Sequence, residues 1–130
     1  MIGLDTNILV RFLTQDDPVQ SSKATEIIER RMTADNPGFL CVVATVEIVW
    51  VLDRVYGFGQ GEIAAAIERM LQVEHLLEHE QEVFIAMVAL KERRASFAEA
   101  LIGALGARAG CIHTLTFDQK AVRLPQFELA

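Results

Sequence analysis

Cysteine is scarce in this chain. There are two, Cys41 and Cys111, and they form no CxxC pair, so a paired-thiol site is set aside. Both sit in apolar, strand-like segments and read as reduced core thiols. Long apolar runs are missing too: none approaches the roughly 20 residues of a membrane span. The opening MIGLDTN has neither the basic start nor the apolar stretch of a signal peptide. A cytoplasmic protein is expected. Positive charge is in the minority, 12 Lys and Arg against 18 Asp and Glu, for a formal charge of -6 at pH 7. Nucleic-acid affinity rests largely on cations meeting phosphates, which argues against a passive DNA- or RNA-binding module. It leaves room for an enzyme whose bound metal supplies positive charge, and for a basic protein partner. Several catalytic signatures are also absent. There is no GxxxxGK[ST] loop, no GxSxG and no Cys–His nucleophile pattern. His75 and His79 are four apart but do not form HExxH, and they read as surface residues.

What is present suits a compact protein. Hydrophobic residues make up 52% and charged residues 23%, ordinary for one domain with a sizeable core. A single domain over 1–130 is expected, with no repeat, linker or low-complexity segment. Ile2-Gly3-Leu4 is a short strand running into Asp5. Residues 6–14 follow as a helix with Ile8, Leu9, Phe12 and Leu13 at helical spacing. Asp16-Asp17-Pro18 starts a second helix, which ends around Asp35-Asn36-Pro37-Gly38. A buried strand is expected over 39–43, then helices over roughly 45–56 and 60–73, a short strand near 75–77, and helices over 80–93 and 96–109. Gly110 stops the last of these. Strands over 112–116 and 127–129 complete the chain. Strands alternating with helices, several of them apolar on both faces, mean an α/β fold with a parallel sheet.

Four carboxylates fall where such a fold binds ligands, beyond the carboxyl ends of the strands. Asp5 ends the first strand and Asp118 follows the strand over 112–116. Glu47 lies near the start of the helix after the second strand, and Glu99 in the first turn of the helix before Thr116. Each has a structural alternative. Asp5 can be a helix N-cap. Glu47 can favour a helix dipole, although a carboxylate hemmed in by Val, Ile and Trp would be costly to bury unpaired. Ser96 and Glu99 fit a capping box, and Asp118 can be a turn residue capping a short helix near Gln119–Val122. Four like charges gathered together repel, so a cluster would persist only with a cation. Oxygen donors without His or Cys suit magnesium or manganese.

Among other residues, Trp50 and Tyr56 read as core and helix-end packing rather than as base-stacking platforms. Trp50, Val51 and Phe58 are also the candidates for a surface that receives a partner helix. Arg11 is placed either to steer a phosphate or to pack at the core edge. The pairs Arg30-Arg31 and Arg93-Arg94 read as solvated faces.

The segments LDTNILVRFLTQDDPVQ, VEIVWVLDRVYG and FAEALIGALGARAGC, followed by TLTFDQKA and LPQF, resemble the PIN-domain proteins, specifically the VapC-type toxins, over nearly the whole chain. The resemblance implies a three-layer α/β/α fold with a short central parallel sheet. It implies a magnesium- or manganese-dependent endoribonuclease, the toxin of a toxin–antitoxin pair, acting on RNA as a homodimer with a cognate antitoxin. Asp5, Glu47 and Asp118 match the family's acids, with Thr6, Asn7 and Thr116 as supporting polar residues. Where the family commonly carries D-x-x-D, this chain has Ser96 and Glu99, so Glu99 looks like a lengthened third acid. The implied chemistry is metal-assisted hydrolysis of a phosphodiester, with all four acids holding one or two ions. The same departure defines a rival reading, a catalytically weakened domain that binds protein or RNA. An aspartyl-phosphate mechanism would need a second acid beside Asp5, and Thr6-Asn7 supplies none.

Overall fold

Two aspartates start the first two helices. In the computed structural model, which describes residues 1–130, Asp5 Oδ1 accepts from the backbone N–H groups of Asn7 and Ile8 at 3.1 and 3.4 Å. This opens α1 (Thr6–Thr14). Asp17 Oδ1 does the same for Val19 and Gln20, with Pro18 as the first residue of α2 (Pro18–Glu26). These caps satisfy N–H groups that have no partner within the helix. α2 widens into a π-helical turn, Ile27–Arg31, and the chain turns extended at Met32. The helix therefore ends ahead of the expected Asp35–Gly38 stop.

The chain divides into two compact units, Met1–His79 and Glu80–Ala130. In the first, β1 (Ile2–Gly3) pairs in parallel with β2 (Gly38–Phe39). Leu40 continues β2 and forms a parallel bridge with Leu77, where the short strand near 75–77 was expected. The strand expected over 39–43 is cut short because α3 (Val42–Arg54) begins early. Cys41 offers no capping side chain. Instead the Val42 N–H donates to Glu78 Oε1 at 3.0 Å, so a carboxylate from a turn distant in sequence starts the helix. α4 (Gln60–Leu71) opens where the Gly59 N–H donates to the Glu62 carboxylate. Leu9, Phe12, Leu40, Ile48, Leu52, Ile67 and Met70 are buried, the apolar faces that helical spacing predicts. Arg69 lies over the Phe12 ring, 4.5 Å from its centroid.

In the second unit α5 (Glu80–Lys91) packs against α6 (Phe97–Arg108). Glu82, only 5% exposed, accepts from Arg108 Nη1 at 2.8 Å, tying the start of α5 to the end of α6. Gly110 turns the chain with φ +97, a conformation that suits glycine. β3 (Thr114–Thr116) then pairs in parallel with β4 (Phe127–Leu129). α6 rides close on these strands: a Cβ at Gly103 would stand 2.6 Å from the Phe127 ring, and one at Gly106 2.6 Å from Thr114 Oγ1. β3 starts two residues later than the expected strand, leaving Cys111 in the turn. It is exposed and Cys41 half-buried, so neither is the core thiol that the apolar context predicted.

Helices alternate with strands along the chain, and every strand pairing is parallel. The α/β class read from the sequence stands. No helix is long and apolar enough to cross a membrane.

Candidate functional site

Asp5 leaves β1 at its carboxyl end, in step with Cys41 leaving β2, and α3 starts at that same edge. The side chain of Asp5 is exposed. Its Oδ1 is spent on the cap of α1, while Oδ2 has no partner. Beside it Thr6 is buried and Asn7 exposed.

Glu47 lies in the second turn of α3, because that helix starts at Val42. The favourable influence of a helix N-terminus on a carboxylate falls off within the first turn, so a dipole role for Glu47 fades. The side chain is exposed, and it neither accepts a hydrogen bond nor forms an ion pair. The apolar residues around it in sequence do not enclose it. Val43 is 73% and Trp50 58% exposed, which corrects the core-packing role expected for Trp50. Tyr56 does pack at the helix end, where its hydroxyl bonds Asp16 and Arg11.

In the second unit Ser96 Oγ accepts from the Glu99 N–H at 3.2 Å and caps α6. The reciprocal half of a capping box is missing: the Glu99 carboxylate does not bond back to Ser96. Half-buried Glu99 is thus left free. Asp118 sits beyond the end of β3. Its N–H donates to Thr116 Oγ1 at 3.0 Å, and its Oδ1 accepts from the Lys120 N–H at 2.8 Å. This is the turn-capping role that the sequence allowed, and it too leaves one oxygen free. Gly106 of α6 lies by the start of β3, and Gly103 by the start of β4.

Every one of the four carboxylates thus keeps at least one oxygen without a partner. Oxygen-only donors of this kind suit a hard divalent cation, so the residues fit magnesium or manganese in their chemistry. Neither unit by itself gathers three or more His, Cys, Asp or Glu side chains close enough to hold a metal ion. Arg11 is not available to a phosphate. Its Nη1 bonds both oxygens of Asp16, at 3.0 and 3.1 Å, and its Nε bonds Gln20 at 2.8 Å. A cleft of about 510 Å³ lies between Gln15 and Arg30, and none of the candidate acids lines it.

The model of the PIN domain matches this chain over residues 2–126. The chain belongs to the PIN-domain family. PIN domains are generally nucleases and typically use divalent metals. No curated protein matches the chain. Of the two sequence readings of Trp50, core packing and a partner-facing surface, its exposure rules out the first. The available signal was its position three residues after Glu47, which places both on one helical face.

Proposed function

We propose that this PIN domain is a divalent-metal-dependent endoribonuclease working as one domain over residues 1–130, and the toxin of a VapC-type toxin–antitoxin pair. Asp5, Glu47, Glu99 and Asp118 are the acids of its site. The observation that carries this reading is the free oxygen on each of them, above all on Glu99, whose carboxylate stays out of the cap that Ser96 makes. A bound magnesium or manganese ion would supply Lewis acidity and positive charge against the phosphodiester.

The chain's own residues supply the rest. Asp5 is held by its cap to α1, so its second oxygen has a fixed direction. Thr116 fixes the Asp118 backbone in the same way. Asn7 is an exposed donor beside Asp5 and suits a phosphate oxygen. The partners on this reading are an RNA substrate, a basic antitoxin and a second copy of the chain. The net charge of -6 supports a basic antitoxin.

The test is cleavage of a structured RNA with magnesium or manganese, comparing wild type with Asp5→Asn, Glu99→Ala and Glu99→Asp. Wild type and Glu99→Asp should cleave, while Asp5→Asn and Glu99→Ala should not. Equal cleavage by wild type and Asp5→Asn overturns the site. RNA binding by the wild type without any turnover would favour a binding module, the function that Ser96 in place of an acid suggests.

A further inference from the structure

Trp50 is the only tryptophan in the chain, and 58% of it faces solvent. It stands on α3 in a row with Val43, Glu47 and Arg54. The steps of four, three and four residues keep this row on one face of a helix. At 1.5 Å of rise per residue, Trp50 is about 4.5 Å along the axis from Glu47, and Arg54 about 6 Å further. The Arg54 side chain is 69% exposed, and its one ion pair, to adjacent Asp53, is long at 3.6 Å and exposed on both sides. Such a pair holds a guanidinium loosely.

We propose that Trp50 is the platform on which a base of single-stranded RNA stacks, next to the phosphate handled at Glu47, with Arg54 meeting the neighbouring backbone phosphate. This inference rests on the nuclease reading of Glu47. An exposed indole flanked by an acid on one side and a guanidinium on the other matches a nucleotide: ring for base, cation for phosphate. Tryptophan also offers a broad face to any base, so the contact tolerates sequence.

The composition of the row argues for RNA over a protein helix. An apolar helix docking on this face would bury Val43 and Trp50, but Glu47 lies between them with no partner. Covering that carboxylate with apolar surface would leave a buried, unpaired charge, which is strongly unfavourable. An RNA strand leaves Glu47 wet, or paired with the cation that a phosphate brings.

The single tryptophan makes the test direct. A short unstructured oligoribonucleotide is titrated into the full chain in EDTA, which prevents cleavage, and intrinsic emission is followed. An abasic oligomer of equal length is the control. We expect saturable quenching by the first and little by the second. Anisotropy of labelled RNA should show binding weakened at least about fivefold in Trp50→Ala and mostly kept in Trp50→Phe. In the cleavage assay Trp50→Ala should raise KM with kcat little changed, and its circular dichroism should match wild type because the side chain fills no core.

Equal quenching by the abasic oligomer, or wild-type affinity in Trp50→Ala, overturns the inference. So does emission that responds to protein concentration rather than to RNA, which marks a protein interface. If wild type cleaves and Trp50→Ala cleaves with the same KM, the stacking role falls and the nuclease reading stands. If wild type neither cleaves nor binds RNA, both fall.

Discussion

Tyr56 donates its hydroxyl to Asp16 Oδ2 at 2.7 Å, across 40 residues of sequence. Thr14 Oγ1 donates to the other oxygen at 2.8 Å, and Arg11 pairs with both. The carboxylate therefore fastens the end of α1 and the start of α2 to the end of α3. The hydrogen bond from Tyr56, then that from Thr14, with Arg11 adding charge, holds the Asp16 carboxyl down at about 2 from an ordinary 3.8. The same pairing raises the Arg11 guanidinium. A carboxyl whose pKa falls on folding stabilises the fold at pH above its unfolded value. That contribution is lost as pH drops from about 4 through about 2. Asp16→Asn should therefore lower Tm at pH 6 and flatten the fall of Tm between pH 4 and 2. An unchanged acid limb would show that the clasp adds nothing to stability.

Metal binding can be read without activity. Manganese that binds only the folded chain raises Tm in proportion to RT ln(1 + [L]/Kd). Millimolar manganese should raise the wild-type Tm, and Asp5→Asn should lose that rise while keeping the metal-free Tm close to wild type. Loss of the cap costs about 1 kcal/mol when the capping residue becomes Ala, and Asn is itself a good cap. Calorimetry with manganese is the independent check.

Removing Arg108 would leave Glu82 nearly buried with no partner. Arg108→Met should destabilise the chain by about 1–3 kcal/mol, the cost of an unsatisfied buried group with a half-exposed donor. Adding Glu82→Leu should restore most of it. Urea midpoints of the single and double variants give the comparison.

Gly103 has no room for a methyl group, because the Phe127 ring occupies the place of its Cβ at 2.6 Å. Gly103→Ala should cost about 1–3 kcal/mol through overpacking. A Phe127→Leu change in the same chain should recover part of that loss. Additive losses would mean that α6 moves away from β4 instead of the ring yielding.

Periodicity carried much of the fold. The residues 6–14 helix, the Asp17–Pro18 start and the 127–129 strand stand where spacing and caps put them. The misplaced boundaries share a physical cause, a partner far away in sequence. α3 starts at Val42 because of Glu78, and no local pattern announces that bond. The strand over 39–43 was read from apolar residues that suit a buried helix equally well. Arg11 was legible as a cation near the acids, but its commitment to Asp16, Gln20 and Tyr56 depends on how α2 and α3 pack. At the acids, spacing located Asp5, Glu99 and Asp118 at element ends, while the early start of α3 moved Glu47 into its second turn. Spacing left open whether Glu99 reaches back to Ser96, since that turns on a side-chain rotamer.

Glu78, in the turn after Leu77, pins the first N–H of α3. The facing of that helix is locked by its buried side, Thr45, Ile48 and Leu52, so Glu47, Trp50 and Arg54 keep their common outward direction whatever happens at the helix start. What Glu78 governs is how firmly the first turn is wound beneath Glu47. Glu78→Gln, which keeps an acceptor, should leave that turn protected from amide hydrogen exchange, while Glu78→Ala should fray it and loosen Glu47 before Trp50 or Arg54.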